Sequence, residues 1–147
     1  MIYKATMADI DAVADLATQL WTWHSKEDMV ARYTAQIPNE NCAVFVYAAK
    51  DGDPISGYAH CQLRRDYVEG CTTSPVGYLE GIFVSPENRS KGVARELLKA
   101  GEDWAREKGC TEFASDCELS DILSSRFHTK AGFKVANRII HFTKKLD

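Results

Sequence analysis

The chain has 147 residues, 45% of them hydrophobic and 27% charged, with a net charge of −3. That length suits one compact domain with a sizeable core. The mild acidity gives no support to a nucleic-acid binder, which needs a basic face. No apolar run approaches the roughly 20 residues needed to span a bilayer. The opening MIYKATMADIDAV lacks a charged stretch followed by an apolar one, so no secretory signal is expected. Five cysteines with no C-x-x-C pair argue against a disulfide framework or a zinc ribbon. A cytoplasmic domain acting on a small molecule, without a metal, is the expectation.

Ile2 to Ala5 reads as a first strand, and Thr6 with Asp9 reads as a capping box for a helix reaching about Leu20. Ser25 with Asp28 marks a second helix that ends before Pro38. Ala43 to Ala49 and Ile55 to Leu63, joined by Asp51-Gly52-Asp53-Pro54, form a hairpin. Asp66 to Pro75 is a polar loop, and Tyr78 to Val84 is the next strand. Val93 to Lys108 has helical periodicity and is closed by Gly109. Glu112 to Ser115 is a short strand, Leu119 to Ala131 a helix closed by Gly132, and Phe133 to Leu146 a β-rich finish. The order β-α-α-β-β-β-α-β-α-β, with no repeat or linker, is a single mixed α/β domain over residues 1–147.

Charge is distributed unevenly along this order. Asp66 to Asp121 holds twelve acidic and six basic residues, while the rest of the chain is net basic. An acidic stretch of this kind is either solvated helix surface or the lining of a cleft for a cationic ligand.

The informative segment is Gly81-Ile82-Phe83-Val84-Ser85-Pro86-Glu87-Asn88-Arg89-Ser90-Lys91-Gly92-Val93-Ala94. A strand delivers the chain to a short basic loop, and a helix begins at once. The free N–H groups of a helix's first turn make an anion site. Gly92 allows close backbone approach, Arg89 and Lys91 add charge, and a pyrophosphate is the natural occupant. The Walker and G-x-G-x-x-G patterns are absent.

With Arg89-Ser90-Lys91-Gly92-Val93-Ala94 and the later Lys130-Ala131-Gly132-Phe133, the sequence resembles the GNAT superfamily of acyl-CoA-dependent N-acetyltransferases. The resemblance implies the GNAT fold, of α/β (α+β) class: a mixed central sheet with splayed strands flanked by about four helices. It implies acetyl-CoA as co-substrate, with Ile82, Phe83 and Val84 along the pantetheine and Arg89 to Ala94 on the pyrophosphate. The Val84 N–H would polarise the thioester carbonyl. His128 stands where many members place an acidic Tyr, so His128 or water would protonate the leaving thiolate.

Asp66-Tyr67-Val68-Glu69-Gly70-Cys71, Ser74-Pro75, Leu79-Glu80-Gly81, Gly109-Cys110 and Ala114-Ser115-Asp116, with Leu20-Trp21 and His24, are similar to the aminoglycoside 6′-N-acetyltransferases. That narrower resemblance implies that Trp21, His24, Tyr67, Glu80, Asp116 and Asn137 border the antibiotic and that Asp121 lies near the cofactor. It also implies a homodimer, with the C-terminal strands as candidate interface. A polycationic acceptor needs carboxylates with few competing cations. Glu80 is the candidate base for an attacking amine, directly or through water, and Asp116 the second candidate. Trp21 and Tyr67 offer flat walls for sugar rings. No cysteine has a visible activating partner, so direct attack in a ternary complex is expected over an acetyl-Cys intermediate. The alternatives are acetylation of a polyamine or another cationic amine, and a CoA-binding sensor without turnover.

Overall fold

A computed structural model describes residues 1–147. Five strands form one sheet in the order β1-β2-β3-β4-β5: β1 (Ile2–Lys4), β2 (Cys42–Ala48), β3 (Ile55–Arg64), β4 (Val76–Val84) and β5 (Phe113–Ser115). The first three pairs are antiparallel and β4–β5 is parallel. Helices α1 (Ile10–Leu20) and α2 (Lys26–Gln36) cover one face, and α3 (Val93–Glu107) covers the other. Strand alternation sorts the two cores. Ala59, Cys61 and Leu63 of β3 pack under α3 with Leu97, Leu98 and Trp104. Tyr58 faces Val13, Met29 and Tyr33 of α1 and α2. No helix is long and apolar enough to cross a membrane.

Local chemistry sets the boundaries. The Asp9 carboxylate accepts the Thr6 N–H at 2.9 Å, and a 3-10 turn over Met7–Asp9 precedes α1. Ser25 Oγ accepts the Asp28 N–H at 3.1 Å and starts α2.

Two expectations from the sequence are corrected. The last helix, α4, spans Ile122–Lys130 and does not begin at Leu119, because Asp121 is its N-cap and accepts the Ser124 N–H at 3.0 Å. The stretch from Phe133 onward forms no strand. A strand exists only where a neighbour accepts its ladder, and no strand of its own chain pairs with this segment, β4 being the one partner of β5. Its Ile140 and Phe142 are 78% and 89% exposed.

Two features of β4 shape the site. Gly77, Tyr78 and Leu79 pair with Phe113, Ala114 and Ser115, and there the parallel pairing stops while β4 runs on to Val84. The strands therefore splay beyond Leu79. On the opposite edge the register slips: His60 faces Gly81 and Cys61 faces Leu79, so Glu80 is the extra residue of a β-bulge. Glu80 and Gly81 thus both turn toward the α1/α2 face.

Candidate active site

A cavity of about 480 Å³ opens where the bulge, α2 and the loop after β3 meet, lined by Trp21, Arg32, Gln36, His60, Gln62, Leu63, Arg64, Arg65, Asp66, Tyr67 and Glu80. Glu80 is its central acid. Arg64 Nε donates to Glu80 Oε1 at 3.0 Å, and one Arg64 Nη donates to both carboxylate oxygens at 2.8 and 2.9 Å. Burial pushes the Glu80 carboxyl above its ordinary range, against the opposing pull of the Arg64 guanidinium. The Arg64 guanidinium carbon also lies 3.4 Å from the Tyr78 ring centroid. The Tyr78 hydroxyl donates to Asp116 Oδ2, which carries the acidic surface from β4 to the end of β5.

The rim is tied together by the loop after β3. The Tyr67 hydroxyl donates to Glu69 Oε2 at 2.8 Å, and Asn137 Nδ2 donates to Glu69 Oε1 at 2.9 Å. These two bonds hold the Glu69 carboxyl below its ordinary range. Tyr67 and Asn137, far apart in sequence, thus share one carboxylate. Trp21 lies in the cavity wall with Arg32 over its ring at 5.3 Å. His24 is outside the lining and stacks obliquely on the exposed Trp23 at 5.7 Å.

The expectation of few competing cations does not hold, since Arg32, Arg64 and Arg65 all line the cavity. Sequence reasoning missed them, together with Gln36 and His60. Their signal was alternation: His60, Gln62 and Arg64 fall on one face of β3, the face shared with Glu80. His60 is 1% exposed, neither ring nitrogen has a partner, and burial lowers its pKa to about 4.

The second half of the site runs along the far edge of β4. The Ser85 N–H donates to Ser56 O of neighbouring β3 at 2.8 Å. By alternation the Val84 N–H points the other way, into the splay, while Ile82 and Phe83 turn their side chains into the two cores. Beyond Val84, a turn over Pro86–Asn88 leads to Ser90 at φ 61 and Gly92 at φ 82, the N-cap of α3. Both left-handed residues curl the backbone so that the first N–H groups of α3, from Val93 and Ala94, face outward. A Cβ built on Gly92 would meet nothing within 4 Å, so the glycine is there for its φ and for what approaches from outside. This cradle fits a pyrophosphate. Arg89 only partly fits the expected role: its Nε donates to Val84 O at 2.8 Å and its guanidinium lies over Phe83 at 5.3 Å, while Lys91 is free at the surface. Asp121 spends its carboxylate on the α4 cap.

His128 closes the splay from below. Its Nδ1–H donates to Ser124 O at 2.7 Å, and its Nε2 lies 2.7 Å from Ser115 Oγ. Ser115 Oγ is also 3.1 Å from Leu79 O, at the last paired residue of β4 and β5.

A splayed parallel pair, a left-handed phosphate loop and a half-buried acid on a bulge define an acyl-CoA-dependent transferase. The pattern of the acetyltransferase (GNAT) family matches residues 10–133, and the chain belongs to that family. An aminoglycoside N(6′)-acetyltransferase type 1 of Stenotrophomonas maltophilia is 38% identical over 146 residues, 99% of this chain and 94% of the relative. Its counterpart in Salmonella typhimurium is 38% identical over 144 residues, covering 98% of each. The structure of AAC(6′)-Iy in complex with the bisubstrate analogue CoA-S-monomethyl-acetylneamine matches with a TM-score of 0.92 at 34% identity, over 99% of this chain and 98% of that one.

Proposed function

We propose that the protein transfers an acetyl group from acetyl-CoA to the 6′-amino group of aminoglycoside antibiotics, which would confer resistance, by direct attack in a ternary complex. The observation that carries this reading is the near full-length likeness to a 6′-acetyltransferase bound to an analogue that joins CoA to acetylneamine. In this chain the bulge carboxylate lines the cavity from β4, the strand whose pairing with β5 ends at Leu79.

Acetyl-CoA supplies the activated acyl group. The α3 N-terminus and the curled loop from Arg89 to Ala94 hold its pyrophosphate, and the free edge of β4 at Ile82, Phe83 and Val84 accompanies its pantetheine. The Val84 N–H, aimed into the slot, donates to the oxygen on which charge develops. Glu80 holds the acceptor ammonium and accepts its proton, directly or through water, so that the amine lone pair is freed. Asp116, fixed by the Tyr78 hydroxyl, clamps a neighbouring ammonium. Trp21 and Tyr67 wall the sugar, and Asn137 steadies that wall through Glu69.

The whole of 1–147 serves as one domain. All five cysteines are free, in keeping with the reducing cytoplasm where acetyl-CoA is made. A homodimer completes it. The segment after Phe133 leaves Ile139, Ile140, Phe142 and Leu146 at least 57% exposed, and on α4 Ile122 and Leu123 are 62% and 76% exposed. Apolar surface of that extent calls for cover, and a second copy offers the same segment for exchange with the same β5 edge.

Incubating the protein with acetyl-CoA and a panel of aminoglycosides, read by free thiol release, tests the reaction. Turnover confined to antibiotics with a free 6′-amine is expected. Equal turnover of those lacking it, or none with any, overturns the assignment.

A further inference from the structure

We propose that Arg64 is a built-in competitor of the acceptor: its guanidinium and the substrate's ammonium take the same place on Glu80 by turns, which sets a threshold of affinity that singly charged amines do not reach. The inference rests on the reading of Glu80 as the acceptor-ammonium site.

The geometry around the Arg64 side chain is that of a bound cation. It has a carboxylate held by three hydrogen bonds of 2.8 to 3.0 Å and an aromatic face 3.4 Å away, with a second acid bonded to that ring's hydroxyl. These are the contacts an ammonium would seek there. The Arg64 side chain is 39% exposed against 20% for Glu80, so the guanidinium stands on the solvent side of the carboxylate. An incoming cation reaches Glu80 by displacing it. Arg64 can yield, because it is the last residue of β3, on a long flexible stem beside the loop that carries Asp66 and Glu69.

Exchange of one cation for another on the same acid is close to neutral in energy. A monoamine therefore gains little by entering. A polycation gains from its other charges, which meet Asp116 and the acids of the loop, and so drives the exchange. Displacement also prepares the base: once the ammonium hands over its proton no cation is bonded to Glu80, and its burial and the nearby Asp116 charge, opposed by Arg32, favour keeping that proton.

The variant Arg64→Met keeps a stem over Tyr78 and removes the charge; Arg64→Lys keeps the charge. Binding of neamine and of ethylammonium to each full-length protein would be measured by calorimetry, and the Glu80 carboxyl carbon followed by NMR through a pH titration. The expected result is that Arg64→Met tightens ethylammonium by about tenfold, the scale of one charged hydrogen bond. Neamine should tighten by a similar factor, since the guanidinium it displaces is the same, and the Lys variant should bind both ligands as the native protein does. The Glu80 resonance should titrate at higher pH in Arg64→Met and move with ethylammonium at lower concentrations than in the native protein. Equal weakening of both ligands, or an ethylammonium response of Glu80 no stronger than native, overturns the proposal and leaves Arg64 as a residue that positions Glu80. Should the native protein acetylate no aminoglycoside, the functional reading falls by itself, since the ethylammonium and NMR arms require no turnover.

Discussion

Trp21 packs directly against Gly81: a Cβ added to that glycine would fall 2.7 Å from Trp21 Cη2 and 2.8 Å from Cζ2. The bare backbone of the bulge is thus the seat of the cavity's aromatic wall. Gly81→Ala should push the indole and Leu20 outward, costing about 1–3 kcal/mol by overpacking. The KM for the acceptor should rise while that for acetyl-CoA holds. Steady-state kinetics with each substrate varied, beside a thermal melt, check this split.

Glu80 acts as a base only when ionised, so kcat/KM should fall as pH drops through its pKa. Burial places that pKa above the ordinary carboxylate value of 4.5. Glu80→Gln removes the proton acceptor and should cost about 10²–10⁴-fold in kcat/KM. The acidic limb of the pH profile should vanish with it. A surviving limb of unchanged midpoint would assign the base elsewhere, with Asp116 the next candidate.

Gly92 has open space around it but a φ of 82°. Gly92→Ala should therefore cost about 1–2 kcal/mol through backbone strain alone. If the loop relaxes to relieve it, the first N–H groups of α3 turn away from the phosphate. The KM for acetyl-CoA should rise with little change in acceptor KM, and Gly92→Asn, which tolerates the left-handed region better, should be milder.

Buried His60 makes stability depend on pH. Its pKa falls from 6.5 to about 4 on folding, so the unfolded chain binds the extra proton between those values. Stability therefore rises with pH across that window and is lost as pH falls below about 6.5, by up to about 3 kcal/mol at the acid end. His60→Gln should flatten the dependence, as read from urea midpoints at pH 4.5 and 7.

Removing residues 139–147 takes away Ile139, Ile140, Phe142 and Leu146 while sparing the Asn137–Glu69 bond. The whole chain should sediment as a dimer and the shortened chain as a monomer. Unchanged mass in both would place the subunit contact elsewhere or remove it altogether.

Periodicity carried most of the fold into view. The apolar spacing of α1 and α3, the Ser25 cap and the turn at Asp51 to Pro54 all mark their elements within a few residues. The strand–loop–helix run from Gly81 to Ala94 and the place of Glu80 in a strand are legible for a similar reason, being local in sequence. What escaped was non-local. Arg64 and Glu80 are sixteen positions apart, and only the pairing of β3 with β4 brings them to one face. Asn137 meets Glu69 across 68 positions, a contact no spacing rule foretells. The run after Phe133 has strand composition, but pairing needs a partner edge, and composition cannot say which chain provides it.

The slip at Glu80 also sets how this site can change over time. Deleting any one residue between Leu79 and Ile82 would restore strict alternation in β4, and the two halves of the strand would then rotate relative to each other. Either the carboxylate or the apolar Ile82–Val84 segment would end in the wrong layer. Substitutions at the rim, at Tyr67 or Asn137, leave that frame untouched. New acceptor preferences are therefore open to this scaffold by point changes in its loops, whereas its reactive centre tolerates no change in the length of one strand.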